Sequence, residues 1–268
     1  MDFKNIIFMT DLDGSLLTDE KIVHPKDLAA IERFREGGGI FTIATGRGYS
    51  MAKRVAEEIC PNVPCVVFNG AAVYDFGADK FLWRCEIGSE NAREFIKRVT
   101  DKFPNVGVEV LCEQTVYVPF VNDFERKHLD MEGVVPDMRP LDEIPDGGWL
   151  KFLFTADSTV IDEIEKTFSE EKAEGVKRLR SAAIFYECLP EGVDKSRGFA
   201  ELIRILGAEK RFSVALGDYK NDYAMIVNAD LGAAVGNALD EVKAAADIVV
   251  CDNNHAPISE IIDYLEKL

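Results

Sequence analysis

The stretch Ile6-Ile7-Phe8-Met9-Thr10-Asp11-Leu12-Asp13-Gly14-Ser15-Leu16-Leu17 decides the fold. Its first five residues form an apolar run without polar alternation, the pattern of a strand buried on both faces of a parallel sheet. The chain then turns polar at Asp11 and Asp13, with Gly14 supplying the turn. Similar runs recur at Ile40 to Ala44, Pro64 to Phe68, Phe212 to Leu216, Leu231 to Val235 and Ile248 to Cys251. Helical patterns lie between or after them: Pro25 to Glu36 closed by Gly37, Tyr49 to Ile59, Ser196 to Leu206 closed by Gly207, Asp222 to Asn228, Leu239 to Ala246, and Ile258 to Leu268. This alternation predicts an α/β fold, a parallel sheet with helices on both faces.

The middle of the chain breaks the alternation. A hairpin-like stretch, Tyr74 to Ile87 with Gly77 at its bend, leads into two amphipathic helical patterns, Glu90 to Phe103 and Thr159 to Lys172. Paired strand patterns accompany them, Val106 to Leu111 with Val116 to Phe120, and Lys177 to Arg180 with Ala183 to Cys188. The reading is an α/β core over residues 1–83 and 191–268, interrupted by an α+β domain over residues 84–190, each large enough to bury its own core.

Composition narrows the function classes. Among 268 residues, 31 Lys and Arg face 48 Asp and Glu, a formal charge of −17, which disfavours nucleic acid and anionic membrane as partners. A hydrophobic share of 47 % is that of a folding chain rather than a disordered one. No apolar run reaches the ~18 residues that span a bilayer, and Met1-Asp2-Phe3-Lys4 does not open a secretory leader, so a soluble cytoplasmic protein is expected. The six cysteines include no CxxC pair and read as reduced thiols; the three histidines stand at no ligand spacing, so zinc is not expected.

Ligands of open parallel sheets bind outside the carboxyl ends of the strands. Four expected strand ends carry polar residues: Asp11 to Ser15, Thr45-Gly46-Arg47, Asn69-Gly70 and Gly217-Asp218. Singly, each has an ordinary explanation as a turn or helix cap. Jointly, Asp11, Asp13, Asp218 and Asp222 would crowd like charges onto one sheet edge, a cost that a divalent cation removes. Oxygen ligands without histidine favour Mg²⁺. A carboxylate beside Mg²⁺ can accept a phosphoryl group, whose charge Lys195 and the helix start at Thr45-Gly46 could stabilise.

Taken with Gly192-Val193-Asp194-Lys195, Gly217-Asp218-Tyr219-Lys220-Asn221-Asp222 and Leu231-Gly232-Ala233-Ala234-Val235-Gly236-Asn237-Ala238, these segments resemble the motif series of the haloacid dehalogenase superfamily, in detail the Cof-type sugar phosphatases. The resemblance implies a Rossmann-like core with an inserted α+β cap that reads the leaving group. It implies Asp11 as nucleophile and Mg²⁺ ligand, and Asp13 as general acid and base with its backbone carbonyl on the metal. Asp218 would be a further ligand, and Asp222 would hold a metal-bound water or orient Lys195. Thr45, the N–H groups of Leu12 and Gly46, Lys195 and Asn221 would hold phosphate oxygens, with Arg47 and Asn69 toward the substrate or cap. Ser15 and Ser196 depart from the family's usual threonine and glycine, and Tyr219 is bulkier than usual.

The expected activity is a Mg²⁺-dependent phosphomonoesterase acting on a small phosphorylated metabolite such as a sugar phosphate, as a monomer or small homo-oligomer. One rival is a phosphomutase of the same superfamily, which hands the phosphoryl group to a second hydroxyl. Another, of a different class, is a phospho-acceptor signalling module, which also gathers acidic residues, a Thr and a Lys around Mg²⁺. An acid/base Asp13 two residues beyond the acceptor and a large inserted domain speak against it.

Overall fold

A computed structural model describes residues 2–171 and 173–267; Lys172 and Leu268, which end two expected helices, and Met1 lie outside the described residues. The chain forms two compact units, Met1–Trp83 with Asp194–Leu268, and Arg84–Val193. The return crossing lies after Val193 rather than after Pro190. Glu191 N–H bonds to Gly175 O and Val193 N–H to Pro190 O, which ties these residues to the inserted unit.

The first unit opens with β1 (Ile6–Thr10), α1 (Pro25–Glu36), β2 (Ile40–Ile43), α2 (Tyr49–Ile59), β3 (Cys65–Val67), β4 (Ala72–Asp75) and β5 (Lys80–Arg84). α1 begins where expected because Pro25 fits the first helical turn and the His24 ring nitrogen accepts the Lys26 N–H. The inserted unit holds α3 (Ser89–Lys102), β6 (Gly107–Cys112), β7 (Val116–Phe120), α4 (Asp123–Glu132), β8 (Trp149–Thr155), α5 (Ser158–Phe168), β9 (Val176–Ala182) and β10 (Phe185–Pro190). The chain then completes the first unit with α6 (Lys195–Leu206), β11 (Phe212–Gly217), α7 (Tyr223–Asn228), β12 (Leu231–Ala234), α8 (Asp240–Ala245), β13 (Ile248–Val249) and α9 (Pro257–Leu265).

The main sheet runs β13-β12-β11-β1-β2, and its pairs are parallel. Thr10 lies beside both Leu216 and Ile43, so the segments that follow β1, β2 and β11 leave the sheet side by side. β3 touches this sheet through one bridge, Ala44 to Val66, and pairs antiparallel with β4. It is shorter than the expected Pro64 to Phe68 because Phe68–Gly70 turns as a 3-10 segment with Asn69 at φ 53°. Ile7, Met9, Val66, Phe199, Leu202 and Met225 bind sheet and helices into one core, each large side chain contributing about 1.5–3 kcal/mol on burial.

In the inserted unit the order is β7-β6-β8-β10-β9, with antiparallel pairs. Two of its elements, β8 and α4, are absent from the sequence expectations. β8 carries the signal, Trp149-Leu150-Lys151-Phe152-Leu153-Phe154 after Gly147-Gly148, apolar but for Lys151, and joins the two expected hairpins into one sheet. α4 hid because it buries Glu125 and Leu129 rather than an apolar stripe, although Asn122 caps its start and Gly133, in the left-handed region, ends it. Val108, Val110, Phe152, Phe154 and Cys188 pack in the core with Phe95, Ile96, Ile161 and Phe168 of α3 and α5. Alternation gives the other face Glu109, Lys151, Thr155 and Glu187, all buried.

Candidate active site

The strand ends deliver the acidic residues to one place. Asp11 follows β1 and Asp218 follows β11, while Asp222 sits at the start of α7. One carboxylate oxygen from each of the three lies within 4.8 Å of the others. Lys195, the first residue of α6 and 1 % exposed, donates from Nζ to Asp11 Oδ1 at 2.5 Å and to Asp222 Oδ1 at 2.6 Å. The second oxygen of Asp222 accepts the N–H groups of Asp218 and Tyr219, both at 3.1 Å. Ser15 Oγ donates to Asp218 Oδ1 at 3.2 Å.

Two glycines make these approaches possible. A Cβ on Gly14, at φ +82°, would stand 2.6 Å from Asp218 Oδ2. A Cβ on Gly70, at φ +97°, would stand 1.9 Å from the carbonyl oxygen of Asp194, so only glycine lets the turn after β3 lie against the start of α6. Asp194 caps that helix by accepting the Arg197 N–H, which fixes the residue from which Lys195 reaches inward.

Burial dominates the electrostatics. It pushes Asp11 well above the usual carboxylate range; Lys195 opposes this, and the charges of Asp222, Asp218 and Asp13 add to it. Burial and then the Asp222 charge push Asp218 up to about 7 against Lys195 and the Ser15 hydrogen bond. Burial works against the Lys195 charge too, yet Asp11 and Asp222 outweigh it and hold the ammonium above the ordinary lysine range.

Asp13 is turned another way. Arg47 donates to both its oxygens at 2.8 Å, and Lys21 Nζ donates to Oδ1 at 2.8 Å. Burial alone would raise Asp13, but these two cations bring it down to about 2. Its carboxylate is therefore not one of the three that converge. Leu12 is fully buried between Asp11 and Asp13. Thr45, 1 % exposed, accepts the Arg47 N–H on its hydroxyl at 3.1 Å, and its carbonyl accepts the Asn69 N–H. A Cβ on Gly46 would meet the Asn69 amide at 3.1 Å, and Asn221 Nδ2 donates to Asn69 Oδ1 at 3.0 Å. The loops after β2, β3 and β11 thus touch one another through expected site residues.

Sequence reading missed Lys21, Ser15 as the partner of Asp218, and two asparagines of late loops, Asn237 and Asn253, which bond the segment after Asp13. Lys21 has no local signal: it stands at φ 60° inside the Thr18–Ile22 turn, and only the fold returns it to Asp13.

The profile of the haloacid dehalogenase-like hydrolases matches residues 8–262. The chain belongs to that family, as its motif series implies, and is a phosphatase of that class. It is 26 % identical over 267 residues to the 5-amino-6-(5-phospho-D-ribitylamino)uracil phosphatase YitU of Bacillus subtilis, covering 98 % of each chain. It is 27 % identical to the pyridoxal phosphate phosphatase YbhA of Escherichia coli, covering 96 % of this chain and 97 % of that one. Among solved structures, TM0651 of Thermotoga maritima superposes with a TM-score of 0.81 at 27 % identity, covering 96 % of each chain. No helix among the described residues is long and apolar enough to cross a membrane.

Proposed function

We infer that this phosphatase hydrolyses the phosphate monoester of a small metabolite, of the sugar phosphate kind, through an aspartyl-phosphate on Asp11 and with Mg²⁺ as cofactor. The observation that carries the reading is the buried Lys195 ammonium shared by Asp11 and Asp222, with an Asp218 oxygen inside the same 4.8 Å cluster. The relatives named for phosphorylated ribitylaminouracil and pyridoxal phosphate support the substrate class. Six cysteines without a CxxC pair and a formal charge of −17 support a cytoplasmic setting without a nucleic acid partner.

The donor set fits Mg²⁺: it is oxygen-only, and burial, with the charges of the neighbouring carboxylates added to it, pushes Asp11 and Asp218 upward. Asp11, Asp218 and the Asp13 backbone carbonyl would hold the ion. Asp222, whose oxygens already serve Lys195 and two N–H groups, acts mainly by aiming Lys195. When bound, the ion neutralises charge on the phosphoryl oxygens and on Asp11.

In the first step an Asp11 oxygen attacks phosphorus, the bond from phosphorus to the leaving oxygen breaks, and Asp13 gives that oxygen a proton. The bound substrate competes with Asp13 for Arg47 and Lys21, and Asp13, released from those cations, takes up from solvent the proton that it gives to the leaving oxygen. Thr45, Lys195, Asn221 and the N–H groups of Leu12 and Gly46 hold the phosphoryl oxygens, with Arg47 and Asn69 toward the rest of the substrate. In the second step Asp13 takes a proton from water, the water oxygen bonds to phosphorus, and the bond to Asp11 breaks.

Phosphate release from p-nitrophenyl phosphate and a sugar phosphate panel with Mg²⁺ tests this. Asp11→Asn is expected to lose at least ~10³-fold in kcat; full turnover in that variant refutes the nucleophile. Phosphate retained on an isomerised product points instead to the mutase. A long-lived phospho-Asp11 without turnover points to the signalling module.

A further inference from the structure

The segment after Asp13 is not held by β1 alone. Its carbonyls are taken by side-chain amides from two loops more than two hundred residues later in the chain. Asn237, after β12, donates from Nδ2 to Gly14 O at 2.8 Å. Asn253, after β13 and 3 % exposed, donates from Nδ2 to Leu17 O at 3.0 Å and to Asp19 Oδ1 at 3.1 Å. The two are coupled, because Asn237 Oδ1 accepts the Asn253 N–H at 3.0 Å. Asn254 continues the row to Asp19, accepting its N–H at 3.0 Å and donating to Oδ2 at 3.1 Å. Between the two pinned carbonyls lie Ser15, which reaches Asp218, and the fully buried Leu16; just outside them stand Asp13 and Lys21.

We propose that Asn237 and Asn253 are positioning residues for catalysis: they fasten the Gly14–Leu17 segment by its backbone and so set where Asp13 presents its carboxyl to the leaving oxygen. A main-chain carbonyl in a turn has no partner along its own strand, so its direction depends on the donor supplied to it. Here the donors belong to the far end of the same sheet. The segment is thereby registered to β12 and β13, on the β11 side of β1, as well as to β1. The proposal rests on the reading of Asp11 and Asp13 above, and its test separates the two.

Asn237→Asp is isosteric and keeps the acceptor for Asn253 N–H, but turns an oxygen toward Gly14 O where a donor stood. General-acid assistance matters for a poor leaving group and little for p-nitrophenolate. The variant is therefore expected to lose about tenfold more kcat/KM on an alkyl phosphate than on p-nitrophenyl phosphate. Amides of the Ser15 to Val23 segment should exchange with deuterium faster while those of β1 stay protected. Should Asn237→Asp not fold, Asn253→Ala, which removes the donor to Leu17 O, carries the same expectation. Equal losses on both substrates, or unchanged exchange in the segment, overturn the positioning role. Should Asp11→Asn remain active, the underlying catalytic reading fails instead; the exchange result stands apart from it.

Discussion

The molecule buries two acidic clusters, each with a lysine, and they come to opposite ends. In the first unit Asp11, Asp218 and Asp222 converge at the carboxyl ends of parallel strands, and Lys195 bonds two of them. In the inserted unit Glu109 and Glu187 lie on one face of an antiparallel sheet, and α4 brings Glu125 to Glu109 and Thr155 there. Lys151 and Ser181 share Glu187 Oε1, Thr155 donates to Glu125, and His128 Nε2 stands 3.5 Å from Glu109. There, among the described residues, no three carboxylates converge as Asp11, Asp218 and Asp222 do. Burial, then the Glu125 charge, pushes Glu109 well above the carboxylate range against Lys151. Glu109 therefore keeps its proton to higher pH than a free carboxylate does. Acidic composition does not make a site; strand ends that aim oxygens at one point do.

The largest effect that would break this contrast comes from the two lysines. Lys195→Met strands two buried carboxylates and is expected to cost about 3–5 kcal/mol in urea unfolding without metal, part of it recovered in saturating Mg²⁺. Lys151→Met should also destabilise, and Mg²⁺ should raise its stability only as much as the parent's, leaving the deficit unchanged. Equal recovery in both variants would erase the distinction between the clusters.

Asp27 sharpens the comparison by presenting a buried carboxylate by itself. It accepts the Ser259 N–H at the start of α9, and burial pushes it up to about 7 even so. The folded state therefore holds a proton that the unfolded chain releases near pH 4, so stability falls as pH rises from about 4 through 7. Asp27→Asn removes that loss. It should match the parent near pH 4 and exceed it at pH 8 by up to about 4 kcal/mol, read from paired unfolding curves.

Smallest is the deletion of one hydroxyl in each cluster. Ser15→Ala should weaken Mg²⁺ binding in calorimetry by roughly tenfold, since second-layer partners of metal ligands act on that scale. Thr155→Val should leave Mg²⁺ binding unchanged and cost about 1 kcal/mol of stability. A metal effect from Thr155→Val would sink the assignment of the two clusters to different tasks.

Much of this was legible locally. The run from Ile6 to Thr10 followed by Asp11 and Asp13 reads as a buried strand ending in chemistry because apolar continuity and turn residues are properties of neighbours in the chain. α1 and α2 begin and end where their patterns say. β8 had its signal, whereas α4 did not, because its packed face carries Glu125 and Leu129 instead of an apolar stripe.

What the residues alone determined was the alternation of strand and helix, the interruption by a second unit, and a short list of acids, hydroxyls and one lysine suited to phosphoryl chemistry. The tertiary structure alone decided that Asp13 faces Arg47 and Lys21 rather than the other carboxylates, and that Asn237 and Asn253 grip the segment beside it. The reason is physical: periodicity and turn chemistry act over a few residues, while the direction of a charged side chain is set by whichever partner the sheet order brings within hydrogen-bond reach, at any distance along the chain.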